Sequence, residues 1–224
     1  MKNKILCFWV IVYLLIIQNV FSGDNDTGGF SLGYSGSEHS IQEFYERIYE
    51  IMNDQETNEM IENGVLGWSR MLFGCYGVSV HSLQEFKRRL NEIINDGEFV
   101  YPIHYRYYAA SQNNLEEFKR RYYEIMNDID FLDISNSYIP GYGSVHETWN
   151  SFVYGNYASS QNSYQEFRIR LNEIMNDNEF NERIWRQGNI IPYYGNYAGS
   201  QNSLVEFKRR FNEIMNVYRD HFFY

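Results

Sequence analysis

Five histidines, one cysteine outside the apolar N-terminal run and a recurrent tyrosine are the residues with chemistry to offer. His39 and His81 hold the same place in two copies of a repeated stretch, where the other copies have Asn. That equivalence points to a polar turn role rather than proton transfer. His146-Glu147 is not followed by a second His at the spacing a helical zinc site needs. Nothing in the sequence pairs His104 or His221 with a nucleophile. Cys75 has no identifiable His partner for thiolate chemistry. No nucleophile elbow, phosphate loop or dinucleotide fingerprint occurs. Neither catalysis, a metal site nor a bound cofactor is therefore expected.

The tyrosine differs because it recurs. Tyr154-Gly-Asn-Tyr157-Ala158 returns as Tyr194-Gly-Asn-Tyr197-Ala198, with variants around Tyr76 and Tyr108, and Tyr34 holds the same place in the first copy. An aromatic ring at such a place has two uses. It can be buried, pinning a loop onto the next helix with its hydroxyl bonded to backbone, or it can be exposed and stack on a sugar or peptide. The pinning reading is the expectation. Stacking would make this a carbohydrate- or matrix-binding protein.

What must position these tyrosines is a stretch found five times, at Ser40–Asp54, Ser82–Asp96, Asn114–Asp128, Ser163–Asp177 and Ser203–Val217. Recurrence at a near-regular period is the mark of a repeat architecture. Ser82 followed by Glu85 is a capping box, in which each residue can satisfy the other's backbone N–H. Ser40, Ser163 and Ser203 repeat it, and Asn114 is a variant. Apolar residues then fall at Leu83, Phe86, Leu90, Ile93 and Ile94, one stripe of an α-helix. The stripe is anchored in each copy by Phe44, Phe86, Phe118, Phe167 or Phe207. Asn-Asp favours a turn and closes most copies. Lys87-Arg88-Arg89 reads as a solvated helix face, with Glu85–Arg89 and Arg88–Glu92 spaced to pair. A chain with net charge −10 is also a poor partner for nucleic acid.

Around the copies the chain varies. Residues 1–22 have a basic start, an apolar run and small residues at a cleavage position, which predicts a secretory signal, no membrane anchor after its removal, and a secreted product. Residues 23–38 are rich in Gly, Ser and Asp and predict a flexible lead-in, with Asn25 in a glycosylation sequon. A helix is expected over Glu56 to Phe73, another after Ser144, and a short one over 178–187. One cysteine in a secreted chain excludes an internal disulfide framework. Cys75 is either buried and inert or a bridge to a second chain, giving a dimer.

The expected fold is all-α. An irregular array of helical hairpins over 39–224 would be packed into a compact or solenoid-like domain, because no single hairpin can bury its stripe alone. The tyrosine triplets Cys75-Tyr76-Gly77, Asn156-Tyr157-Ala158 and Asn196-Tyr197-Ala198, behind a secretory signal, resemble the Cys-Tyr-Cys motif of the bicycle family of aphid salivary effectors. Only one of the flanking cysteines is present here. The resemblance implies a protein delivered in saliva into a host plant, there to act on a host protein.

Overall fold

In the computed structural model, residues 33–63, 69–99, 104–128, 145–185 and 191–222 are described. The expected signal, Asn25, Trp68 and Pro140 lie outside them. In chain order the helices are α1 (Ile41–Met52), α2 (Gln55–Glu62), α3 (Ser69–Val78), α4 (Leu83–Ile94), α5 (Tyr105–Ala110), α6 (Leu115–Met126), α7 (Val145–Ser159), α8 (Tyr164–Met175), α9 (Asn178–Trp185), α10 (Ile191–Gly199) and α11 (Leu204–Phe222). Among the described residues there is no strand, and the fold is all-α.

The helices begin where local chemistry dictates. Ser40, Ser82, Ser163 and Ser203 each accept from the N–H of the Glu three residues on, at 3.2–3.3 Å, and Asn114 does the same at 2.9 Å. The glutamate's reciprocal reach is replaced. Glu85 pairs with Arg88 at 2.8 Å, Glu117 with Arg120 and Glu206 with Arg209 at 2.7 Å. α1, α4, α6 and α8 end at Asn53, Asn95, Asn127 and Asn176, whose backbone N–H groups close the last turn. The following aspartate starts what comes next. Asp54 caps α2 through Thr57, and Asp177 accepts from Phe180 N–H.

Two expectations change. The stretch expected as one helix over Glu56 to Phe73 contains parts of α2 and α3. The tyrosine motif, expected as a linking loop, is helical, within α3, α5, α7 and α10. Its glycines serve close helix approach. A Cβ at Gly77 would stand 2.7 Å from the Phe44 ring, and one at Gly155 would stand 2.5 Å from the Tyr107 ring. Where residues 33–38 of the expected flexible lead-in are described, they belong to the core: Tyr34, Ser35 and Ser37 are buried.

α1, α4, α6, α8 and α11 form an outer set. Each of the first four packs on the motif helix that follows it: α1 on α3, α4 on α5, α6 on α7, α8 on α10. The motif helices pack on one another in order, α3 on α5, α5 on α7 and α7 on α10. α11 has no later motif helix and turns to the first one. Tyr34 donates to Glu213 at 2.8 Å, and Asn202 Nδ2 donates to Ser35 O and Ser37 O at 3.0 and 3.2 Å. The sequence of contacts therefore closes on itself. The five anchor phenylalanines are fully buried within one continuous apolar cluster.

Candidate functional site

Each motif tyrosine is the joint between two outer helices. Its ring packs against the anchor Phe that follows, tilted for Tyr34 on Phe44 and edge-on for Tyr76 on Phe86, Tyr108 on Phe118, Tyr157 on Phe167 and Tyr197 on Phe207, with centroids 5.2–5.5 Å apart. The outer helix before it supplies an arginine over the other side. Arg47, Arg89, Arg121 and Arg170 each lie 4.2 Å from the ring centroid of Tyr76, Tyr108, Tyr157 and Tyr197, and Arg210 lies 4.4 Å from that of Tyr34.

The same arginines cap the motif helices. Arg121 donates to Tyr157 O at 3.1 Å and to Asn162 O at 2.6 Å, and Arg170 to Tyr197 O at 3.0 Å and Asn202 O at 2.5 Å. Arg47 donates to Tyr76 O and His81 O, Arg89 to Tyr108 O and Asn113 O, and Arg210 to Tyr34 O and His39 O. A cation at a helix C-terminus meets both unpaired carbonyls and the negative end of the dipole. Arg89, Arg121 and Arg210 are buried to achieve this.

That corrects the reading of Lys87-Arg88-Arg89 as a solvated face. Only Arg88 is exposed and self-paired, with Glu85 and Glu92. Arg89 is interior. Lys87 reaches back to Asp54 at 3.0 Å, as Lys119 does to Asp96 at 2.9 Å and Lys208 to Asp177 at 3.1 Å. Lys119 holds the Asp96 carboxyl below the usual carboxylate range. At the closing joint Tyr45 and Val217 occupy these two positions, so the ion pair is absent there.

The tyrosine hydroxyls also depart from expectation. They donate to glutamate side chains rather than to backbone: Tyr108 to Glu92 and Tyr157 to Glu124 at 2.6 Å, Tyr76 to Glu50 and Tyr197 to Glu173. Burial, then the carboxylate acceptor, pushes these phenols far above their ordinary range. All five rings are 0–1 % exposed, so none offers a face for stacking on a ligand.

His39 and His81 take the polar turn role expected of them. His39 Nε2 bonds Ser79 O at 2.9 Å and His81 Nε2 bonds Ser111 O at 2.6 Å. Asn113 and Asn162 do the same work, donating to Ala158 O and Ser160 O, and to Ala198 O and Ser200 O. Among the described residues no group of three or more His, Cys, Asp or Glu could hold a metal ion, and no helix is long and apolar enough to cross a membrane.

The space that remains is axial. Segments from all five motif copies surround a cavity of about 200 Å³, partly open to solvent. Cys75, read from the sequence as either a buried inert thiol or a bridge to a second chain, lines it, so such a bridge would have to reach in through its mouth. Burial pushes the Cys75 thiol up to about 11, and Arg106 pulls against that rise. The cavity carries a residue that the sequence analysis passed over, Arg106, in the place held by Gly74, Gly155 and Gly195 in other copies. A charged residue where three of the five copies have glycine was the available signal.

Comparison with protein-family models, with curated proteins and with solved structures finds no match to this chain.

Proposed function

We propose that this chain is a secreted, non-enzymatic binding protein, delivered in saliva as an effector and acting by interaction with a host protein. The observation that carries this reading is the division of labour among side chains. The recurrent Tyr, Arg, Glu and His/Asn residues are spent on joints between helices, and some of the differences between copies face outward. Ile169 on α8 is 63 % exposed where α4, α6 and α11 carry Arg88, Arg120 and Arg209. Val205 on α11 is 79 % exposed where α1, α4 and α8 carry Gln42, Gln84 and Gln165. Apolar groups placed outward where sister helices carry polar ones suit a protein interface better than a solvated scaffold.

The test uses the purified chain as bait on extracts of candidate host tissue, followed by reconstitution with the purified partner. The reading expects saturable binding that an Ile169→Glu/Val205→Glu double variant loses while keeping its unfolding midpoint. Binding that the double variant retains, or retention on polysaccharide with no protein partner, contradicts it.

A further inference from the structure

The axial cavity contains a cation, Arg106, that has no counter-ion among the described residues. Arg106 is 3 % exposed and lines the cavity, and its Nε and Nη2 atoms are buried with no hydrogen-bond partner. The described residues that line the cavity include no Asp or Glu. Its neighbours are neutral. The guanidinium lies 4.9 Å from the Tyr107 ring centroid and 5.6 Å from that of Phe152. Cys75 has its thiol raised, and burial followed by the Arg106 charge pushes His104 down to about 3. Cation–π contact offsets only part of the cost of a buried charge. A guanidinium does not escape that cost by losing its proton.

From this we infer that the axial cavity is a binding site for a small oxyanion, a carboxylate or phosphate, held by the guanidinium of Arg106. Nε and Nη2 lie on one side of the planar guanidinium, the arrangement that meets two oxygens of one carboxylate or phosphate, and their polar neighbours among the described residues are the neutral Cys75 and Tyr107 side chains. The surroundings select for size. The serines at the cavity wall are committed to the scaffold: Ser111 Oγ donates to Ser159 O at 3.2 Å, Ser160 Oγ to Tyr157 O at 3.0 Å and Ser200 Oγ to Tyr197 O at 2.9 Å. Their lone pairs are poor company for a large polyanion, and about 200 Å³ admits only a small molecule. The room also has a sequence origin. Gly155 leaves the space that the Tyr107 ring occupies, so Arg106 and Tyr107 stand where the neighbouring copies have Gly74-Cys75 and Gly155-Asn156 without breaking the joint. The site is independent of any protein partner on the outer face.

Isothermal titration of the full chain, purified free of multivalent anions, tests the assignment. Inorganic phosphate and acetate are titrated separately at ionic strength balanced with chloride. The expected result is saturable binding of at least one, weakened by about tenfold or more in Arg106→Gln and retained in the surface control Arg88→Gln. Heat with phosphate alone identifies a phosphate site, and heat with acetate a carboxylate site. If Arg106→Gln does not fold, Arg106→Lys decides, since it keeps the charge and loses the fork. No binding of either anion to the native chain, or unchanged affinity in the decisive variant, overturns the assignment.

Discussion

Arg210 and Tyr34 stand 176 residues apart in the chain, yet Arg210 Nε donates to Tyr34 O at 3.3 Å and the guanidinium lies over the Tyr34 ring. The pair repeats, at the far ends of the described chain, what Arg121 and Tyr157 do between neighbours. An open array would leave one of these groups facing water. Here each outer helix has a motif tyrosine to cap, and each motif tyrosine has an arginine over it.

The buried arginines should therefore matter more to stability than the exposed ones beside them. Arg121→Ala removes charged hydrogen bonds to two carbonyls, each worth about 1.5–3 kcal/mol. Arg120→Ala removes only exposed pairs with Glu117 and Glu124 and should move the urea midpoint little. Equal midpoints for the two variants would return the basic run to the solvent face.

For the tyrosines, burial and hydroxyl separate cleanly. Tyr157→Ala should cost about 3–5 kcal/mol, as for other large aromatic truncations. Tyr157→Phe loses one hydrogen bond to Glu124 and should cost about 1 kcal/mol. If chemical denaturation gives Phe the same penalty as Ala, the hydroxyl and not the ring holds the joint.

The helix starts and the anchor stripe were legible because they are local. Ser82 with Glu85 is read within a single turn, and Phe86, Leu90 and Ile93 repeat at the helical period. Arg89 was misread because adjacent basic residues look alike in a sequence, although they point about 100° apart around a helix. The signal was its place three residues after Phe86 and four before Ile93, on the apolar stripe, repeated by Arg47, Arg121, Arg170 and Arg210. The motif was taken for a loop because Gly and Asn are turn residues. Gly77 and Gly155 are instead small so that rings can touch the backbone, a tertiary cause with no local trace. The contact of α11 with residues 33–37 is likewise non-local, although Tyr34 was recognisable as the fifth counterpart.

The glycines give a steric check. Gly155→Ala would drive a methyl into the Tyr107 ring and should cost about 1–3 kcal/mol. Gly97→Ala meets nothing within 4 Å and should be neutral, or stabilise by up to about 1 kcal/mol through the unfolded state. Thermal melts of the two variants in the opposite order would mean the motif helices approach less closely.

Alkaline pH provides a spectroscopic test. Tyr34, Tyr76, Tyr108, Tyr157 and Tyr197 hold their protons more tightly folded than unfolded. Their contribution is fully present below the unfolded phenol value of about 10 and is lost as pH rises beyond it. Phenolate absorbance should first report only the other tyrosines. The motif set should appear together with loss of helical circular dichroism. Reversible ionisation of all tyrosines near pH 10 with the helix signal intact would contradict their burial against carboxylates.

Closure of the array is tested most directly by a covalent link between the first motif segment and the end of α10, the last motif helix. A Cβ at Gly36 lies 3.2 Å from Ser200 Cβ, close to the separation a disulfide spans. In a Cys75→Ser background, Gly36→Cys/Ser200→Cys should oxidise within one chain under native conditions. The product should be a monomer of faster non-reducing mobility and raised unfolding midpoint. Thiols that stay reduced under oxidant, or that bridge only between chains, would show that the two ends of the array do not meet.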